Sequence, residues 1–140
     1  MSKAPKWFLP VVIVALLWNL MGCAAYLSDA MLSAADVAKM SEAEKLMYDT
    51  RPAWSIAGTA VGVWLGALGC VALILRKSWA VPLLLLSLLG VIVQDVWLFV
   101  LAPKTDLVNG AVYGLQAMVL LISIGLASLA RSAKASGWLS

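Results

Sequence analysis

Four polar side chains stand inside long apolar runs of this sequence: the carboxamides of Asn19, Gln94 and Gln116, and the carboxyl of Asp95. An amide placed where water does not reach must exchange hydrogen bonds with another protein group or with a solute. The three carboxamides are therefore candidates either for a cluster that fixes helix register or for the floor of a polar cavity. An ionisable group is costly to hold in hydrocarbon, so Asp95 is a candidate for proton coupling or solute binding. Tyr113, one helical turn before Gln116, joins this set. Other chemistry is poorly provided for. Histidine is absent, which removes the usual imidazole ligand of haem, zinc and copper and the usual general base. No nucleophile is paired with a base and no metal-ligand cluster occurs, so neither enzymatic activity nor a cofactor is expected. Cys23 and Cys70 both lie in apolar segments and read as small buried hydrophobes that stay reduced.

What must position these groups follows from composition. The 140 residues are 64% hydrophobic and only 12% charged, with a mean hydropathy of +0.98; a soluble domain needs roughly a quarter of its residues charged. Apart from Asp95, charges fall in short islands between four apolar stretches, Trp7 to Leu27, Ala53 to Leu75, Trp79 to Ala102 and Asn109 to Ala130. Each is longer than the roughly 20 helical residues that cross a hydrocarbon core. No alternating pattern suggests a barrel. The net charge of +3 does not indicate nucleic acid, because Lys3 and Lys6, Arg76 and Lys77, and Arg131 and Lys134 sit beside apolar runs as membrane anchors. The expected fold is an all-α membrane protein, with residues 1–140 as one antiparallel four-helix transmembrane bundle. Lys3 and Lys6 ahead of an apolar core, with Leu20-Met21-Gly22-Cys23, also resemble a lipoprotein signal. The run continues past a normal signal core to Leu27, which favours a retained helix.

Orientation follows from the basic residues. The amino tail, the Arg76-Lys77 turn and the carboxyl tail carry six of the ten Lys and Arg and no acid, whereas the Ser28 to Arg51 and Pro103 to Val108 connections carry six of the seven acids. Both termini are thus expected in the cytoplasm of a bacterial inner membrane. The Ser28 to Arg51 connection is expected to hold two short surface helices, opened by Ser33 to Asp36 and by Ser41 to Glu44, the second with a reciprocal capping box. Trp7, Trp79 and Trp138 are placed at one interface and Tyr26, Tyr48, Trp54 and Phe99 at the other, with Trp18 and Trp64 filling packing space near mid-membrane.

Gly58, Gly62 and Gly66 recur at four-residue intervals, followed by Gly69, with Ser55 and Thr59 on the same side. Such a groove lets another helix backbone approach closely, whether that helix is in this chain, a second copy or a larger membrane partner. Ala15, Asn19, Gly22, Cys23 and Tyr26 share a face on the first helix. Ser87, Gly90, Gln94 and Trp97 do so on the third, and Asn109, Tyr113, Gln116, Ser123 and Ala127 on the fourth. At about 1.5 Å per residue, Asn19, Gln94 and Gln116 fall at similar depth and are expected to form one layer. Asp95 lies about 100° around the helix from Gln94, off the centre of the interior face, where it reaches outer water, snorkels or meets a partner chain.

Leu17-Trp18-Asn19-Leu20-Met21-Gly22, Pro52-x-Trp54, Arg76-Lys77-x-Trp79-Ala80-Val81-Pro82-Leu83, Gln94 and Gly137-Trp138 together resemble a group of small four-helix bacterial inner-membrane proteins commonly labelled "sugar transporter". The resemblance covers the whole chain and implies a sugar-like solute without implying a mechanism. An acid after Gln94 is not part of that pattern, so the resemblance assigns Asp95 no role.

Two functions are consistent with these residues. The leading expectation is an accessory module that oligomerises or docks on a larger membrane protein through its glycine face. The alternative is a transporter or channel for a small polar solute or protons, built on Asn19, Gln94, Gln116 and Asp95. The charge pattern also generates a topology prediction. Single cysteines placed between Ser33 and Asp49 of an otherwise cysteine-free protein should react with an impermeant thiol reagent from outside intact cells; labelling only after lysis would reverse the orientation.

Overall fold

The computed structural model describes residues 4–101 and 110–140, and these are helical without strands. The chain runs through α1 (Phe8–Ala30), α2 (Ala34–Ala38), α3 (Glu42–Thr50), α4 (Ala53–Ile74), α5 (Ala80–Val96) and α6 (Gly110–Ala135). Beyond Val96, α5 widens into a π-helix over Trp97–Leu101. The helices α1, α4, α5 with its extension, and α6 are long and apolar enough to cross a membrane. Ala102, Asn109, Lys3 and the expected Pro103 to Val108 turn lie outside the described residues.

The boundaries correct the expected spans at two points. Helix α1 continues a turn past Leu27 and so carries Asp29, and α6 continues past Ala130 to Ala135, carrying Arg131 and Lys134 on its last turns. Long basic side chains at a helix end reach the interface while their stems stay apolar, so charge need not stop the helix there.

Lipid gives apolar helices no hydrophobic reason to associate, so their packing depends on close contact and on interhelical hydrogen bonds. The most extensive pair is α4 with α5. Gly90 crosses α4 so tightly that a Cβ on it would lie 2.6 Å from the Gly58 oxygen and 2.8 Å from the Gly62 nitrogen. Gly62 faces Val91, Gly69 faces Leu84, and the buried Ser87 donates its hydroxyl to the Gly62 carbonyl at 2.6 Å. On the same series, Gly66 instead makes room for Asn19 of α1, whose Oδ1 a Cβ would overlap. The partner of the glycine groove is thus the chain itself. Helix α1 packs on α4 antiparallel, with Cys23 Sγ donating to the Val63 carbonyl and Asn19 Nδ2 donating to the Ala15 carbonyl and Cys70 Sγ. Both cysteines are buried and unlinked. Helix α6 packs on α5 antiparallel, pairing Gln116 with Gln94 and Tyr113 with Phe99.

At the basic end the chain closes on itself. Helix α4 ends with Lys77 N–H donating back to Ala72, which puts Arg76 in the left-handed region at φ 58°. Glycine usually occupies that position. Helix α6 ends the same way, with Trp138 N–H donating to Ala133 and Gly137 at φ 78°. Residues beyond it return to the α4–α5 turn, where Ser140 N–H donates to the Arg76 carbonyl and Ser78 N–H donates to the Ser140 carbonyl, each at 2.8 Å. Trp138 meets Trp7 and the fully buried Phe8 edge to face, and the Arg76 guanidinium lies 5.1 Å over the Phe8 ring.

At the opposite end α2 and α3 form the expected surface pair, but the reciprocal cap is on the other helix. Ser33 and Asp36 exchange both hydrogen bonds, whereas Ser41 accepts from Glu44 N–H and the exposed Glu44 side chain does not reciprocate. The Ser33 backbone bond, with its hydroxyl second, holds the Asp36 carboxyl below its ordinary pKa. Its folded-state pKa being depressed, this cap supports α2 at neutral pH and loosens as pH falls through the acidic range.

The glycine crossing is directly testable. Gly90→Ala, which sets a methyl against two backbones, should lower stability by about 1 to 3 kcal/mol. Gly125→Ala, with no atom within 4 Å of the new Cβ, should be nearly neutral. Equal thermal unfolding of the two variants in detergent would show that α4 and α5 do not cross at Gly90.

Candidate functional site

Helices α1 and α6 share a buried core at the basic end but have, among the described residues, no close backbone approach like that of the other neighbouring pairs. Between them, with α4 and α5 behind, is a cavity of about 400 Å³. Its polar floor is a chain of side chains from three helices. Thr59 on α4 donates its hydroxyl to Gln94 Oε1 on α5 at 2.5 Å, and Gln94 Nε2 donates to Gln116 Oε1 on α6 at 3.1 Å. Asn19 of α1 and Ser123 of α6 line the same space.

The expected layer therefore forms in part. Gln94 and Gln116 bond directly, while Asn19 shares their cavity but spends its amide nitrogen on α1 and Cys70. That leaves Asn19 Oδ1 and Gln116 Nε2 without a hydrogen-bond partner among the described residues. Tyr113 stacks on Phe99, ring centroids 5.0 Å apart, and does not line the cavity. The glycines serve packing, as expected, and only Gly22 and Gly62 touch the cavity. Trp18 forms its wall, and Trp64 turns its edge to Tyr26 and is 39% exposed.

Asp95 departs from expectation. Rather than reaching water or the helix flank, it is buried at 5% exposure, one turn beyond Val91 on the same stripe, and it does not line the cavity. Neither carboxylate oxygen has a hydrogen-bond partner among the described residues. Its two positions before the π-helical segment place it where the regular helix ends.

Arg51 and Asp29 complete the cavity at the end nearest the surface helices. Their ion pair, Nη2 to Oδ2 at 2.5 Å, ties the start of α4 to the end of α1, and Arg51 also lies 5.9 Å over the Tyr48 ring. At side-chain exposures of 27% and 39%, the pair contributes no more than about 1 kcal/mol. Its consequence is positional, because Arg51 Nε is buried beside the cavity without an acceptor. Thr59, Asp29 and Arg51 were not among the site residues expected from the sequence. The available signal was the pair of opposite charges bracketing the 30–50 connection, whose ends must meet if α1 and α4 are neighbours.

No family model, curated protein or solved structure matches the chain.

A mutant cycle tests this geometry. Gln94→Leu and Gln116→Leu should couple by about 0.5 to 2 kcal/mol, the range of hydrogen bonds between membrane helices. Leu84→Ala, about 15 Å along α5 from Gln94 and lining neither the cavity nor the bond, should be additive with Gln116→Leu to within about 0.5 kcal/mol. Reversible unfolding in mixed micelles measures both. Additivity of the glutamine pair would remove the polar chain from the site.

Proposed function

We propose that this chain is a multi-pass protein of a bacterial inner membrane, both termini cytoplasmic, that binds and transfers a small neutral, hydroxyl-rich solute. The observation that carries this reading is the unspent hydrogen-bonding capacity of the cavity. Gln116 Nε2 is a donor and Asn19 Oδ1 an acceptor, each without a protein partner among the described residues. A hydroxyl group both donates and accepts, so a polyol or sugar meets such a mixed pair, whereas an anion meets only its donor. Asp29 offsets the charge of Arg51 at the mouth, which further favours a neutral occupant. The resemblance to proteins labelled sugar transporters points the same way.

The accessory-module reading loses its main support, because the face that would dock a partner is engaged by α5 and α1. Association between copies is retained in the proposal for a different reason: four helices in one chain are few to enclose a solute pathway. The chemistry proposed is binding and passage, not bond making. Asp95, away from the cavity, is assigned a structural rather than a proton-coupling role.

Proteoliposomes containing the purified protein should take up at least one of glucose, glycerol or a disaccharide faster than empty vesicles. Gln116→Leu should lower that uptake several-fold, and Asp95→Asn should leave it and its pH dependence unaltered. No protein-dependent uptake across the panel would reject transport, and pH-driven uptake lost in Asp95→Asn would restore the carboxyl to the mechanism.

A further inference from the structure

The split between α1 and α6 does not end at the polar cavity. Towards the basic end a second space, also about 400 Å³, lies between the same two helices. It is apolar, lined by Val14, Ala15, Gly125 and Leu129 among others, and it shares Trp18 and Ile122 with the polar cavity as a common boundary. Val14 on its rim is 67% exposed, and a Cβ on Gly125 would meet nothing within 4 Å. The groove is open on the side where a transmembrane helix faces lipid. From Trp18 to Val11 it extends for about 10 Å along α1.

The two compartments make opposite demands on whatever fills them. Hydrocarbon from the bilayer satisfies the apolar groove, but in the polar cavity it would leave the Gln116 amide donor and the Asn19 carbonyl oxygen without partners. Water or a free sugar satisfies the polar cavity and gains nothing from the groove. An occupant with one polar and one apolar part satisfies both, and Trp18, at their boundary, is a suitable residue for the junction of the two parts.

We infer that the ligand is a single-chain amphiphile with a neutral polyhydroxylated head, entering sideways between α1 and α6, its head against Gln116, Asn19 and Arg51 and its alkyl chain along the groove. This rests on the solute-binding reading above and narrows its substrate class. A lipid-borne substrate also needs no aqueous passage through the four helices, since the chain stays in the bilayer while only the head is carried.

The test uses the full-length protein in lipid nanodiscs, with Cys23 and Cys70 replaced by Ala and Ser123→Cys placed in the polar cavity wall. The rate of thiol labelling at residue 123 is measured with glucose, octyl glucoside below its micellar concentration, and octanol. Octyl glucoside should protect at a concentration at least tenfold lower than glucose does, and octanol should not protect. Gly125→Leu, which fills the groove, should remove the advantage of octyl glucoside; Val14→Phe, from the opposite wall, repeats the test should Gly125→Leu not fold. Equal protection by glucose and octyl glucoside would overturn the amphiphile and leave the solute reading standing. Protection by octanol as strong as by octyl glucoside would reduce the site to an apolar void. An absence of protection by all three would overturn both readings.

Discussion

Two helices can bring their backbones into contact only where neither carries a side chain, and the crossing of Gly58 and Gly90 is that place in this protein. Because lipid supplies no hydrophobic force between helices, this contact, with the Ser87 to Gly62 hydrogen bond beside it, fixes the α4–α5 axis on which the rest is hung. Helix α1 attaches to α4 where Gly66 leaves room for Asn19. Helix α6 attaches to α5 through the glutamine pair and the Phe99 to Tyr113 stack. Each outer helix is thus held by one inner helix. Helices α1 and α6 meet only through the buried core and ring cluster at the basic end, without a close backbone crossing among the described residues, and both cavities lie along the remainder of that seam.

The same arrangement accounts for the polarity of the site. Thr59, Gln94 and Gln116 bond to one another in a line across three helices, and such a line has ends. In a closed bundle the fourth helix would cap them. Here α1 contributes Asn19, whose amide is committed to its own helix and to Cys70, so its carbonyl oxygen and the Gln116 amide remain open to a ligand. Asp95 differs, being buried outside this line and beside the change from regular to π-helical geometry. π-Helical turns are frequent at functional sites, but the cavity here is built without the carboxyl.

Much of the fold was legible because it is written in local chemistry. Apolar runs gave the four long helices, Ser33 and Ser41 gave the starts of α2 and α3, and the glycine spacing gave the packing face of α4. The errors arose where geometry beyond one helix decides. Arg131 and Lys134 looked like a tail because charge was expected to end a span, although their stems let the helix continue. Glu44 stood at the right spacing for a reciprocal cap and did not form it, while the shorter Asp36 did. Asp95 was placed by its angle from Gln94, but the neighbours that bury it are not readable from α5 alone. The cavity was the least legible feature, since it depends on which two helices fail to pack, and each helix sequence describes only surfaces that can.

The basic end, where Phe8, Arg76 and Trp138 meet, has a consequence for the order of assembly. These residues are 68 and 62 positions apart along the chain, so the knot closes two large loops at an entropic cost that nothing local offsets. During synthesis α4 and α5 emerge in succession and can cross at their glycines while α6 is still unmade. The ring of Phe8 and the carbonyl of Arg76 meanwhile lack the partners that come after residue 137. Helix α1 therefore spends the interval before α6 is made without its ring cluster, held to α4 alone. The seam between α1 and α6 closes only after α6 is made, and it joins the first long helix of the chain to the last.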